Sequence, residues 1–291
     1  MTSEVTRDTG PGRLLAAIAV VTLLCAAIAV VGHRPQPLRV AVVAADPLQS
    51  LADPATGNRR GPGPALSHEL AERLGTRAEM IPRDGVAGVI ESLTRGEADV
   101  GLFAVGGLTA TGPSEIPAPP EPQRLAIRLE MRGSTIEFCG DYALVQHTYL
   151  VRDGAPFRSV TEVGGAGVTI GITDGDPANL VVTSSLRGAG VRINPAGTAD
   201  VAADWVMDGT VDAYAASRLR LAAIAAAHPG LRVLADDFWR EPQTVAVATG
   251  NTALCAAAGA AIDAARERGD LARAIARAGL VGVAVAPRPD P

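Results

Sequence analysis

The sequence predicts an α/β fold built on a largely parallel sheet and preceded by one N-terminal transmembrane or signal helix. Apolar strand-like runs alternate with amphipathic helix-like runs from residue 38 onward, as in repeated βαβ units. An uncharged run of eighteen apolar residues precedes them. The 291 residues are 47% hydrophobic, with a mean hydropathy of +0.20. Such a chain can bury one large or two medium cores.

The charge pattern argues against a nucleic-acid partner. There are 31 acidic and 26 basic residues, giving a net charge of -5, and no block of like charge marks a nucleic-acid arm. No CxxC motif and no clustered His, Cys and Asp spacing indicates a metal site. We therefore expect neither a metal nor a cofactor.

The apolar run LLAAIAVVTLLCAAIAVV, residues 14–31, follows a short polar N-terminus at residues 1–13. As a helix it would be about 27 Å long, which just crosses a bilayer. Its length exceeds the roughly 7 to 15 residues of a signal-peptide core, and this favours an uncleaved anchor at 14–32 over a cleaved signal. Leu24 before Cys25 favours a lipid-facing cysteine over a lipoprotein. The folded part is expected outside the cytoplasm, anchored to the membrane, or secreted if the segment is cleaved.

Cys139 and Cys255 are an even pair in what would be an oxidising compartment. A disulfide between them would close a long loop and add roughly 4 to 5 kcal/mol through chain entropy. The alternative is two buried thiols. A thiol count on denatured protein separates the two, because two free thiols beyond Cys25 exclude the bond.

The first unit is predicted to have the element order strand, helix, strand, helix, strand. Its first helix places Leu66, Leu70 and Leu74 on one face and ends at Gly75. A proline-rich stretch at residues 111–123 then interrupts the pattern and is predicted to be an exposed loop. The five segments are LRVAVVAA (38–45), ALSHELAERLG (65–75), AEMIP (78–82), VAGVIESLTRG (86–96) and ADVGLFAV (98–105).

A second unit repeats the order, and two helices split at Gly269-Asp270 follow it. In both units a helix ends at a glycine that is followed three residues later by an aspartate, Gly96 and Asp99, then Gly209 and Asp212. The glycine suits a left-handed helix end, and the aspartate can tie the turn before a buried strand. We favour this structural role over ligand contact. The segments are VTIGIT (168–173), PANLVVTSSLRG (177–188), VRINP (191–195), ADVAADWVMDG (199–209) and VDAYAA (211–216).

These runs, together with IEFCGDY, YLVRDG and VAVATGN, resemble in order and spacing the family 3 extracellular solute-binding proteins, which have the periplasmic-binding-protein type II fold. The resemblance covers roughly residues 37–285. Such proteins are amino-acid receptors of ABC importers. The resemblance implies two α/β lobes joined by two crossing strands, at residues 147–152 and around 242–247. The implied divisions are residues 37–147 plus 243–285 for lobe 1, residues 148–242 for lobe 2 and residues 286–291 for a flexible tail.

The resemblance also implies a ligand site between the lobes. Arg132 stands six residues before Phe138, where the family has an arginine that binds the ligand α-carboxylate, and the stretch with Thr109 and Thr111 should neighbour it. A bidentate arginine-carboxylate pair suits a partly dry cleft. The alternative for Arg132 is a surface position in a loop.

Three other positions depart from the family pattern. Asp176 replaces a Ser or Thr at a helix N-terminus, and before Pro177 it makes a very good N-cap, the interpretation we favour over ligand contact. Ser217 stands where the family has a residue that pairs with the ligand ammonium. Asp46 follows the first strand, where members often have an aromatic residue. The usual amino-acid ligand therefore does not follow.

Three function classes remain open. The first is a membrane-anchored solute-binding protein that captures a small polar, amino-acid-like solute for an ABC permease. The second is a sensory or scaffold relative that has lost ligand capture and binds a partner protein through its lobes. The third, an enzyme, is the least favoured, because no Ser/His/Asp order or carboxylate pair stands out and His68 and His147 are interpreted as a surface and a strand residue.

Overall fold

The computed structural model describes residues 36–52, 57, 59–105, 135–173, 176–186 and 192–288. Within these ranges no helix is both long and apolar enough to cross a membrane. The predicted segment at residues 14–32 and the proline-rich stretch lie outside the described ranges.

The first unit folds as the alternation predicts. Its first long helix begins earlier than expected, at Pro62, since proline suits a first helical position, and it ends before Gly75 in the left-handed conformation. The short helix α1 and the two-stranded β2-β3 ribbon were not predicted. The elements are β1 (Leu38–Val43), α1 (Pro47–Ser50), β2 (Leu51–Ala52), β3 (Arg59–Arg60), α2 (Pro62–Arg73), β4 (Ala78–Arg83), α3 (Gly85–Thr94) and β5 (Val100–Ala104).

The second unit also matches its predicted order. The first crossing strand is longer than predicted, because residues 147–152 are the end of one 17-residue strand, β6. Helix α7 directly after the second unit and the short strand β12 were missed. The elements are β6 (Ile136–Arg152), α4 (Val160–Val163), β7 (Thr169–Thr173), α5 (Pro177–Ser185), β8 (Arg192–Ala196), α6 (Ala199–Asp208), β9 (Ala213–Ser217), α7 (Arg218–Ala227), β10 (Leu231–Val233), β11 (Trp239–Ala248), α8 (Thr252–Glu267), α9 (Asp270–Ala278) and β12 (Val283–Val285).

The two repeated glycine and aspartate pairs have the predicted structural role. Gly96 and Gly209 both have positive φ angles, 69° and 85°. Asp99 accepts a hydrogen bond from the backbone N–H of Arg39 at 2.9 Å. Asp212 accepts one from the backbone N–H of Thr169 at 2.8 Å. Each aspartate thus ties the start of the last strand of its unit to the first strand.

One continuous sheet carries both units, in the order β4-β1-β5-β11-β6-β9-β7-β8. β1 is parallel to β4 and β5, and β7 is parallel to β8 and β9. Between these two parallel groups, β11 is antiparallel to both β5 and β6, and β6 is antiparallel to β9. The two parallel groups therefore run in opposite directions. The predicted division into two lobes stays a prediction.

The buried apolar residues follow the same arrangement. One cluster packs β1, β5 and helices α2, α8 and α9 together, and a smaller one fills the other face of the sheet beside α3. Two further clusters bury the faces of β7 and β9 against α5 and α6. The sheet is mixed and not largely parallel as predicted, because the long strands β6 and β11 insert antiparallel pairs between the two parallel groups. Helices still cover both faces of each parallel group, since strands in such groups are apolar on both faces.

Candidate functional site

The carboxyl ends of the two parallel groups meet on β6. The last residue of β5, Ala104, pairs with Gln243 of β11, which pairs with Ala143 of β6. From the opposite direction, the last residue of β9, Ser217, pairs with His147 of β6. We call residues 143–147 of β6 and 239–243 of β11 the strand junction. In open α/β sheets, ligands bind outside the carboxyl ends of strands, and here two sets of such ends converge.

Asp46 lies at the first-unit side of the strand junction, just after β1. Its Oδ1 accepts from the Leu48 backbone N–H at 2.9 Å, which caps helix α1, and its Oδ2 accepts from Gln49 Nε2 at 2.8 Å. Burial raises the pKa of Asp46 to about 6, the Leu48 N–H opposes this, and the charge of Glu241 adds to the rise. Asp46 is therefore a half-buried carboxyl group that titrates near neutral pH.

Asp176 and Ser217 lie at the second-unit side, and both are engaged within the protein. Asp176 caps α5 as expected, because its Oδ1 accepts from the Ala178 backbone N–H at 2.9 Å. Its Oδ2 accepts from Arg220 Nη1 at 2.6 Å. Ser217 caps α7 by accepting from the Arg220 backbone N–H at 3.4 Å. The ligand roles expected for both residues stay predictions.

A hydroxyl pair lies beside Asp176. Thr173 Oγ1 and Tyr214 Oη are 2.8 Å apart and both residues are buried. Burial raises the pKa of the Tyr214 phenol, which the Thr173 hydrogen bond partly offsets. The phenol is therefore neutral at physiological pH and available as a hydrogen-bond donor.

The centre of the strand junction holds a buried pair that the sequence analysis missed. His147 Nε2 lies 3.1 Å from Glu241 Oε2, and their side chains are 2% and 6% exposed. The His147 ring also stacks on Trp239, with centroids 4.6 Å apart. His147 Nδ1, Glu241 Oε1 and Trp239 Nε1 are buried and have no hydrogen-bond partner among the residues that the structure describes. The only signal in the sequence was a histidine and a glutamate inside two strand-like runs that hold other polar residues as well.

Three predicted ligand-binding residues, Arg132, Thr109 and Thr111, lie outside the described residues. His68 is exposed on α2, as predicted. Within the described ranges no group of three or more His, Cys, Asp or Glu side chains is placed to hold a metal ion.

The predicted disulfide between Cys139 and Cys255 is present. It joins β6 to helix α8, with Cα atoms 5.0 Å apart. Cys255 lies in the main buried cluster of the first unit, and Cys139 packs against that cluster. The bond therefore fastens the start of β6 to the helix that covers it.

No family model and no curated protein matches the chain. Several solved structures match the chain. The substrate-binding protein of an amino acid ABC transporter matches with 15% identity over 83% of this chain and 98% of that chain, at a TM-score of 0.53. An amino acid ABC transporter substrate-binding protein from Streptococcus pneumoniae, bound to L-arginine, also matches. It is 18% identical over 83% of this chain and 94% of that chain, at a TM-score of 0.55. The chain has the fold of these solute-binding proteins.

A third similar structure belongs to an ancestral amino acid-binding protein described as a precursor of cyclohexadienyl dehydratase. It is 20% identical over 83% of this chain and 94% of that chain, at a TM-score of 0.55. At such identities the likeness shows the fold alone. Binding proteins and one precursor of an enzyme thus share this fold, and the residues of the site have to decide the activity.

Proposed function

We propose that this chain is an extracytoplasmic solute-binding protein of the family 3 type. It captures a small polar, amino-acid-like solute at the strand junction and delivers it to an ABC-type importer. The observation that carries the proposal is the convergence of the carboxyl ends of β5 and β9 at residues 143–147 of β6. The amino acid-binding neighbours support it. The apolar segment at residues 14–32 would hold the protein at the membrane.

In this proposal Arg132 binds a carboxylate of the solute, with Thr109 and Thr111 beside it. Asp46 faces the solute from the first unit, and Ser217 supplies a hydroxyl from the second. A solute that contacts both units would favour a closed arrangement, because it can shift an equilibrium only by its differential affinity for the two states. The proposed activity is binding without turnover.

A second candidate is a scaffold relative that binds a partner protein and has lost solute capture. The engagement of Asp176 and Ser217 with Arg220 favours it, because two positions expected to contact a solute already have partners within the fold. A solute that needed Asp176 would have to compete with the 2.6 Å contact to Arg220 Nη1.

A thermal-shift screen of the full-length chain tests the proposal, with amino acids, polyamines, opines, dipeptides and small organic acids as the probes. A solute that binds only the folded state raises the melting temperature by mass action. The affinity for a hit is then compared in wild type, Arg132→Gln and the control Arg192→Gln, which changes an arginine on the edge strand β8.

We expect Arg132→Gln to weaken binding by more than about tenfold, because losing a desolvated charge pair costs about 2 to 5 kcal/mol. Arg192→Gln should bind as wild type does. Equal affinity in all three proteins would remove Arg132 from the site. No shift with any probe on well-folded protein would favour the scaffold.

A further inference from the structure

A cavity lies at the opposite end of the second unit from the strand junction. Its volume is about 570 Å³, within the range of small-molecule sites. Its lining includes Arg152 at the end of β6, Asp212 just before β9, Phe157 and Met207. The strand junction lies at the carboxyl end of β9, so the cavity is a separate place in the fold.

Backbone carbonyl groups hold one side of the Arg152 guanidinium group. Its Nη1 donates to the carbonyl oxygens of Val206 at 2.6 Å and Val211 at 3.3 Å. Its Nε and Nη2 donate to nothing in the described part of the chain, and they are not among the enclosed polar atoms that lack a partner. The free edge is therefore open to solvent, and two adjacent N–H donors in a plane match the two oxygens of a carboxylate.

Asp212 has a free carboxylate oxygen, as a comparison with its counterpart Asp99 shows. Asp99 binds the backbone N–H of Arg39, and it also binds the Arg39 guanidinium through both oxygens, at 3.2 and 2.7 Å. Asp212 makes the same backbone contact with Thr169, which cannot supply a guanidinium. Its Oδ1 has no partner among the described residues. The second unit thus keeps the aspartate of the first but lacks its cation.

Apart from Asp153, the rest of the cavity is lined by apolar residues, and the loop that carries several of them is held in place by hydrogen bonds. Phe157 packs against the buried cluster of the second unit, and Met207 is 45% exposed. The loop that carries Phe157 is held by Arg232, whose Nη2 donates to the carbonyl oxygens of Ala155 at 3.0 Å and Phe157 at 2.6 Å. Arg152 and Asp212 each contact backbone groups and form no ion pair with each other. Opposite charges therefore line one cavity without a direct contact between Arg152 and Asp212.

We propose that this cavity binds a small zwitterion with a short apolar side chain. The carboxylate of the ligand pairs with the Nε and Nη2 edge of Arg152, its ammonium group pairs with Asp212 Oδ1, and its side chain packs on Phe157 and Met207. An anion alone meets repulsion from Asp212 and Asp153, both in the lining, and a cation alone leaves the donor edge of Arg152 without an acceptor. Only a molecule with both charges satisfies both groups.

Ligand-observed NMR on the full-length chain, with L-leucine as the probe, tests the proposal. Two analogues serve as controls, 4-methylpentanoate without the ammonium group and 3-methylbutylamine without the carboxylate. We expect each analogue to bind about tenfold or more weakly than leucine, because each leaves one charged group of the cavity unpaired. Analogues that match leucine would overturn the two-charge arrangement.

Variants locate the site. Arg152→Gln and Asp212→Asn are each expected to weaken leucine binding about tenfold or more, whereas Arg192→Gln and Arg132→Gln leave this binding event unchanged. If leucine also binds at the strand junction, Arg132→Gln removes that second event alone. The two proposals therefore fail separately.

Unchanged leucine affinity in both Arg152→Gln and Asp212→Asn, or no saturable signal with folded wild type, would overturn the site. If Arg152→Gln lowers the melting temperature, Arg152→Lys decides, because lysine keeps the charge but lacks the two-donor edge. The proposal predicts that Arg152→Lys binds leucine more weakly than wild type does. A leucine affinity equal to that of wild type would contradict the proposal.

Discussion

Reducing the bond between Cys139 and Cys255 is expected to lower the free energy of unfolding by about 2 to 5 kcal/mol. The two cysteines are 116 residues apart in the chain. Closing a loop of that length removes about 16 cal/mol/K of entropy from the unfolded chain, or about 5 kcal/mol at 25 °C. This is an upper bound, because typical disulfides deliver about 2 to 4 kcal/mol. Cys255 is buried, so the reduced thiol keeps its apolar surroundings.

Urea denaturation of the full-length chain with and without a thiol reductant measures the effect, with mass spectrometry to confirm the bond. A Cys139→Ala/Cys255→Ala variant is the matched control, because the reductant should no longer change its midpoint. Cys25→Ala should respond to the reductant as wild type does. An unfolding free energy that changes by less than about 1 kcal/mol on reduction of wild type would refute the entropic reasoning.

Three further perturbations test the carboxylates in and beside the strand junction. The pKa of Asp46 is about 6 in the folded protein, against 3.8 for an unperturbed aspartate, so the folded state holds this proton more tightly. The free energy of unfolding is therefore expected to fall as pH rises from about 4 to about 7, by up to about 3 kcal/mol, and a fall of the same size in Asp46→Asn would contradict the assignment. Glu241→Leu should cost about 1 to 3 kcal/mol in urea denaturation, because it leaves the buried Nε2 of His147 without its hydrogen-bond partner, and adding His147→Leu should restore part of the loss. Strictly additive losses would show that the two side chains are not coupled. Asp176→Ala should cost about 1 to 2 kcal/mol through the lost helix cap, while Asp176→Asn, which still caps but loses the charge that faces Arg220, should cost less. Equal melting temperatures for the two variants would exclude the cap.

Much of the fold could be predicted because its signals are local. The strand at residues 38–45 and the helix at 199–209 were placed within one or two residues, since apolar periodicity and capping residues act over a few positions. The cap at Asp176 was predicted for the same reason. The missed elements, such as α7 and β12, carry no clear amphipathic pattern or are only three residues long.

The strand junction itself could not be derived from local patterns. His147 and Glu241 are 94 residues apart, and they meet only because β6 and β11 pair in one register. The link between Asp176 and Arg220 spans 44 residues and depends on where β7 and β9 end in the sheet. Strand pairing depends on residues far apart in the chain. The side chains that meet in a site built across strands therefore cannot be derived until the pairing of the strands is known.

The sequence by itself determined the alternation of strands and helices, the even cysteine pair and the repeated glycine and aspartate turns, because each depends on residue type and short spacing. Only the tertiary structure decided that the carboxyl ends of β5 and β9 converge on residues 143–147 of β6. It also decided that Asp212 lacks the arginine which Asp99 has. The physical reason is the same in both cases, since hydrogen-bonded register between distant strands selects which side chains become neighbours.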